Sequence, residues 1–291
     1  MNTNKKLIIA DLDGTLLNNK GKLSEKTIKV VKKINEMGHI FCISTGRPLR
    51  SAINFYNQLG LSTIISTLNG GVLSNPSDKF FNELYFAFDK EVLRRILLDK
   101  TVQKLANYIV VESLNCTFLI CKKKEFDINK NFLNKFHIDK KTLISTNDCE
   151  SLFANDLIVQ PISVLISSNK ENIDQISFSI KTILSTFVIR VWDDESDKKN
   201  QKVIIELNTL FSTKGTSMKY LSSFYGKPLN KIYAFGDGEN DLEMLKVSEN
   251  AFAMKNALPS AKLVSYKITE KSNDNDGVAL QLMKELNINK L

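Results

Sequence analysis

The sequence predicts an α/β protein whose mainly parallel sheet is assembled from both ends of the chain and interrupted by an inserted α+β module. Three observations predict it. Short unalternating apolar runs near both termini have the pattern of strands covered on both faces. Each is followed by a segment of helical periodicity, and between about 84 and 205 this alternation gives way to paired strands separated by helices. The 291 residues, at about 150 per domain, accommodate two domains. The expected division is a discontinuous core of 1–83 and 206–291, with 84–205 as the insertion.

The elements follow in order. Residues 6–10 form the first strand. Ser24 is placed to cap a helix carrying Ile28, Val31 and Ile34 at helical spacing, and Gly38 stands where the helix should stop. A strand at 39–43, a turn at Ser44 to Arg47, a helix opened by Pro48 and a strand near 63–66 come next. Within the insertion the pattern predicts helix 89–106, strands near 109–113 and 117–122, and a short helix near 129–137. Strand 159–168, helix 170–185 and strands 187–193 and 202–207 complete it. The core then resumes with a helix from about 215, a strand at Lys231 to Phe235, a helix from Asn240, a strand at 250–253 and a last helix from about 276. Asp193 to Gln201 and Ser272 to Asp276 are expected to be polar loops.

Composition excludes several classes. Hydrophobic residues at 43% and charged residues at 25% are globular values, so disorder is excluded. The net charge of +8 invites a nucleic-acid reading, but the lysines are dispersed. Their densest clusters, Lys122-Lys123-Lys124 and Lys140-Lys141, lie beside Glu125, Asp127 and Asp139. A solvated surface and no nucleic-acid partner are expected. No apolar run approaches the roughly 18 residues of a membrane span, and Asp11 cuts short the run after Lys5 and Lys6, so neither a membrane partner nor export is expected. Cys42, Cys116, Cys121 and Cys149 have neither CxxC nor zinc-finger spacing, which suits reduced thiols and the cytoplasm.

Four segments carry the chemistry. Asp11-Leu12-Asp13-Gly14-Thr15 places two carboxylates two residues apart beyond a buried strand, where open α/β sheets bind ligands. A polar turn capping a strand is the bland alternative, and the Gly-Thr that follows makes it the weaker one. Ser44-Thr45-Gly46-Arg47 offers hydroxyls and backbone N–H groups at a helix start, an anion site that taken alone reads equally as a helix cap. Lys214, within Ser212-Thr213-Lys214-Gly215, could neutralise a phosphoryl group, although single lysines are common here. Gly236-Asp237-Gly238-Glu239-Asn240-Asp241 brings two further carboxylates to a strand's end. Four aspartates meeting in one crevice repel unless a cation or proton intervenes, and hard oxygen ligands favour Mg2+.

In this order and context the four segments resemble the motifs of the haloacid dehalogenase-like hydrolases, in particular the Cof-type phosphatases, whose cap domain lies between the second and third motifs. The resemblance extends to Asn69-Gly70, Ala253-Met254-Lys255-Asn256-Ala257 and Asp276-Gly277-Val278-Ala279; Lys255 stands where the family often has Gly. It implies a Rossmann-like core with an inserted cap, and hydrolysis of a small phosphorylated metabolite, such as a sugar phosphate or phosphorylated cofactor, through an aspartyl-phosphate. Asp11 is then the nucleophile and Asp13 the general acid and base. Mg2+ is implied at the Asp11 carboxylate, the Asp13 backbone carbonyl and Asp237, with Asp241 supporting the site from outside the ligand set. Leu12 N–H, Thr45, Gly46 N–H, Lys214 and Asn240 are implied to hold the phosphoryl oxygens.

A phosphomutase or phosphotransferase using the same intermediate, and a non-catalytic protein that binds a phosphometabolite, are the competing readings. His39 and His137 have no partner pattern for a metal or triad and are expected to be structural or on the surface, and Cys42 to lie in the core. Trp192 and the Phe-rich stretch 80–88 are expected to be core or hinge packing, with a cap aromatic lining the substrate pocket as the alternative. The identity of the substrate and the oligomeric state are not legible.

Overall fold

The computed structural model describes residues 5–121, 128, 130–154, 160–184, 186–193 and 201–290. Lys122 to Asp127 and most of the loop between Asp193 and Gln201 therefore lie outside the described residues. The chain forms two compact units, Met1–Leu84 with Thr213–Leu291, and Tyr85–Ser212. The second junction falls beyond the expected 205, because the strand Lys202–Thr209 keeps pairing with Pro161–Asn169 as far as Asn208.

The first unit is built on a five-stranded parallel sheet in the order Lys267–Ile268, Asn250–Ala253, Tyr233–Gly236, Leu7–Ala10, Ile40–Ile43. Leu7, Ile8, Ile9 and Ala10 are all essentially inaccessible, as unalternating strands in an α/β sheet should be. Each such large apolar side chain contributes about 1.5–3 kcal/mol by leaving water. Register aligns Ala10 with Phe235 on one side and Ile43 on the other, and Gly236 with Ala253. The strand Leu7–Ala10 thus has early sequence, Ile40–Ile43, on one flank and late sequence, Tyr233–Gly236, on the other, the switch of strand order beyond whose carboxyl ends open α/β sheets bind ligands. Asp11, Ser44 and Asp237 each follow a strand at that edge.

The helices start where local chemistry directs them. Ser24 accepts the Thr27 N–H and opens Glu25–Glu36, which ends with Gly38 at φ +78° while His39 N–H returns to the Ile34 carbonyl. Pro48 sits one residue before Leu49–Gln58, in extended conformation, rather than inside its first turn. The strand Ile65–Thr67 pairs antiparallel with Val72–Ser74, a strand absent from the sequence reading. A single parallel bridge from Ser44 to Ser66 joins it to the main sheet. Two C-terminal elements, Pro259–Val264 and Lys267–Ile268, were also not anticipated, being too short to display a period.

The second unit is a six-stranded sheet in the order Phe187–Asp193, Lys202–Thr209, Pro161–Asn169, Tyr108–Ser113, Thr117–Ile120, Leu143–Thr146. It is antiparallel except for the last pair, which is parallel. Ile109, Val111 and Phe118 face a core shared with helices Lys90–Leu97 and Ile173–Ile183, whereas Tyr108, Val110 and Leu119 face Phe132 and Phe136. The expected helix 89–106 is two helices. Asp99 takes an extended conformation and accepts the Val102 N–H, starting a new helix at Lys100. The strand Leu143–Thr146 and helix Cys149–Ala154 occupy a stretch that showed no clear pattern in the sequence.

Candidate active site

The sequence Asp11-Leu12-Asp13-Gly14-Thr15 leaves its strand through a tight turn. Gly14 adopts φ +71°, and a Cβ there would fall 2.2 Å from Asp237 Oδ2, so both the backbone and the neighbouring carboxylate require glycine. Thr15 Oγ1 donates to Asp237 Oδ1 at 2.7 Å, and Asn256 Nδ2 donates to the Gly14 carbonyl at 2.8 Å. The loops after the first and fourth motif strands are in this way bonded to each other. Leu12 is wholly buried in the turn.

Asp11, Asp237 and Asp241 each bring one carboxylate oxygen within 4.8 Å of the others. Between them lies Lys214, fully buried, with Nζ 2.8 Å from Asp11 Oδ1 and 2.7 Å from Asp241 Oδ1. Asp241 Oδ2 accepts the N–H groups of Asp237 and Gly238 at 2.9 and 3.0 Å. Both oxygens of Asp241 are therefore occupied by the protein. Burial raises the Asp11 carboxyl to about 8, with Lys214 opposing the shift and Asp241 and Asp237 adding to it. Burial likewise raises Asp237 to about 6, against the Thr15 hydrogen bond. Burial works against the charged form of Lys214, but Asp11 and Asp241 outweigh it and its pKa moves upward.

Of the four aspartates, three bring carboxylate oxygens within 4.8 Å of one another, with the Lys214 ammonium on Asp11 and Asp241. The Asp13 carboxylate is not in that group, although its charge still acts on Asp237. Asp13 Oδ2 accepts Arg47 Nε at 2.7 Å and Oδ1 accepts Nη2, and the Asp13 side chain is 55% exposed. Arg47 lies over the Phe55 ring, with Ser51 Oγ 3.4 Å from Nη1. Thr45 is buried, its Oγ1 accepting Arg47 N–H at 3.2 Å. Asn240 Nδ2 donates to Asn69 Oδ1 at 2.9 Å, and Gly46 lies against the same Asn69 side chain. In the sequence Thr15 and Arg47 stand inside the first and second segments without an assigned role, and Asn69 enters only through the resemblance at Asn69-Gly70.

The donor set suits a hard divalent cation. Among the described residues no donor reaches the Oδ2 atoms of Asp11 and Asp237, and both groups are desolvated carboxylates held next to each other. Of the residues expected to be structural, His39 and Cys42 fit, whereas Trp192 and Phe80 are exposed and only Phe88 of the 80–88 stretch is in the core. His39 Nδ1 accepts Lys6 N–H at 3.0 Å, and burial with Lys6, Lys227 and Lys5 nearby lowers its pKa. His137 takes φ +52° after the helix Lys130–Lys135, and burial pushes the Cys42 thiol up to about 12. Lys255 has no positive φ, so this loop does not need the glycine.

A buried lysine held between carboxylates beyond the strand ends of a parallel sheet is costly for stability alone, which marks these residues as a candidate functional site. The chain belongs to the haloacid dehalogenase-like hydrolases, whose family model matches residues 8–282. It is 30% identical over 285 residues to the 5-amino-6-(5-phospho-D-ribitylamino)uracil phosphatase YitU of Bacillus subtilis, covering 98% of each chain. It is 27% identical to the phosphatase YwtE of the same organism, whose name states the same activity, over 94% of this chain and 96% of that one. A crystal structure of a haloacid dehalogenase-like hydrolase from Bacteroides thetaiotaomicron superposes with a TM-score of 0.75 at 26% identity, over 97% of this chain and 99% of that one.

Proposed function

We propose that this protein is a Mg2+-dependent phosphatase that hydrolyses a small phosphorylated metabolite through an aspartyl-phosphate on Asp11. That it is a phosphoric monoester hydrolase follows from its family and its phosphatase relatives. The observation that carries the mechanism is the buried Lys214 ammonium between Asp11 and Asp241, with Asp237 alongside. Asp11 and Asp237, with the Asp13 backbone carbonyl, would hold Mg2+, and Asp241 would support them through its bonds to Lys214 and the Asp237 N–H. When bound, the ion supplies positive charge that favours the ionised carboxylates and offsets their repulsion of a phosphate.

In this reading an Asp11 carboxylate oxygen attacks phosphorus, the bond to the leaving alcohol breaks, and Asp13 gives that oxygen its proton. Asp13 then takes a proton from the water that attacks phosphorus, releasing inorganic phosphate and restoring Asp11. Lys214, Thr45, Asn240 and the N–H groups of Leu12 and Gly46 hold the phosphoryl oxygens. The unit Tyr85–Ser212 acts as the cap that selects the substrate, and the four free cysteines suit the cytoplasm. The activity named for the two Bacillus relatives makes 5-amino-6-(5-phospho-D-ribitylamino)uracil the first substrate to assay.

The test is a panel of phosphorylated metabolites with Mg2+, scored by kcat/KM and released phosphate. Phosphate should appear in proportion to substrate lost, which a phosphomutase would not give. Asp11→Asn should abolish turnover; metal-dependent hydrolysis that survives in this variant overturns the mechanism.

A further inference from the structure

We propose that Asn69 is a positioning residue for the phosphate-binding side of the site, fixing the Asn240 amide and the Thr45–Gly46 backbone; this rests on the phosphatase reading above. Asn69 lies in the turn Leu68–Gly70 with φ +56° and is 5% exposed. Asparagine tolerates this left-handed conformation better than most residues, but glycine would serve the turn equally well. The side chain is explained by what it touches.

Asn69 N–H donates to the Thr45 carbonyl at 3.0 Å, and Asn69 Oδ1 accepts Asn240 Nδ2 at 2.9 Å across 171 residues. A primary amide has two N–H donors on one atom and a carbonyl oxygen on the other side. With one N–H committed to Asn69, and Asn240 Oδ1 placed 2.8 Å from where a Gly238 Cβ would stand, the amide has a defined orientation. Its second N–H is left for a phosphoryl oxygen. Without the Asn69 acceptor, either face of that amide could turn toward the anion, and one of them presents a repelling oxygen.

The adjoining glycines fit the same account. A Cβ on Gly46 would approach Asn69 Oδ1 to 3.1 Å, so the Gly46 backbone and the Asn69 side chain share one space. Gly70 has φ +93°, and a Cβ there would meet the Thr213 carbonyl at 2.3 Å. Thr213 caps the helix that begins with Lys214. The Asn69-Gly70 pair therefore touches the loops that carry Thr45, Lys214 and Asn240, three motifs far apart in sequence.

The experiment is a double-mutant cycle on full-length protein with Asn69→Gly and Asn240→Ala. It reads KM for p-nitrophenyl phosphate and the inhibition constant of inorganic phosphate, with Tm recorded for each variant. Asn69→Gly keeps the left-handed backbone and should raise both constants by about tenfold, the scale of one well-placed hydrogen bond to an anion-binding group. In the Asn240→Ala background the same change should add little. Full additivity, or a lowered Tm with both constants unchanged, overturns the proposal. If Asn69→Gly does not fold, Asn69→Ser, too short to reach Asn240, closes the same cycle. A wild-type protein that neither hydrolyses the aryl phosphate nor binds inorganic phosphate refutes the phosphatase reading itself, a result separable from an additive cycle.

Discussion

Arg47 holds Asp13 in a two-point ion pair across 34 residues, with Nε donating to Oδ2 at 2.7 Å and Nη2 to Oδ1. The guanidinium is itself held over the Phe55 ring. The pair holds the half-exposed Asp13 carboxylate outside the group formed by Asp11, Asp237 and Asp241.

Arg47 should therefore govern the proton-transfer half of the reaction. Replacing it by alanine removes the group that orients Asp13 and should lower kcat/KM about 10- to 100-fold for alkyl phosphates, whose leaving groups need a proton delivered in position. The loss should be much smaller for p-nitrophenyl phosphate, whose leaving group departs as an anion. Steady-state kinetics on the two esters checks this, and equal losses would count against the role.

Lys214→Met should both inactivate and destabilise. Its removal leaves Asp11 and Asp241 facing each other without a buried counter-charge, a loss of about 3–5 kcal/mol. The shift in urea midpoint should be larger at pH 8 than at pH 5, because a raised carboxyl such as Asp11 is protonated in acid and then needs no partner.

Asp237 couples stability to pH. Its carboxyl is raised from 3.8 to about 6 in the folded protein, so the folded state holds a proton that the unfolded chain has released. That contribution is complete below 3.8 and is lost as pH rises through about 6. In metal-free buffer, Asp237→Asn should gain stability relative to wild type by about 1–3 kcal/mol between pH 4 and pH 7. Thermal melts across that range measure it. In the proposed site Mg2+ would compete with the same protons, so its affinity should rise over the same interval.

Gly14→Ala should weaken metal binding as well as stability, because the new methyl group meets the Asp237 carboxylate. Gly21→Ala is the control: Gly21 has a similar φ of +68° but nothing within 4 Å of its Cβ position. Backbone strain of about 1–3 kcal/mol is common to both. Only Gly14→Ala should alter Mg2+ affinity, read by isothermal titration.

Elements with a long period or a distinct cap were legible. The strand at Leu7–Ala10 and the Ser24-capped helix fall where the apolar pattern and capping chemistry place them. The break at Asp99 was not, because Asp at a helix interior and Asp at a new cap look alike until the backbone is seen. Short elements such as Leu143–Thr146 owe their conformation to a neighbouring strand, which no local window contains.

By itself the sequence marked candidates for the chemistry: Asp11, Asp237 and Asp241 by their places just beyond buried strands, and Lys214, a weak signal taken singly, by its place at a helix start. Only the tertiary structure decided how they are paired. Lys214 joins Asp11 to Asp241, Arg47 pairs with Asp13, and Asn69 accepts a hydrogen bond from Asn240. The physical reason is that a charged side chain settles on the partner that best offsets its desolvation. The partner is supplied by loops brought together through sheet order, which local sequence patterns do not encode.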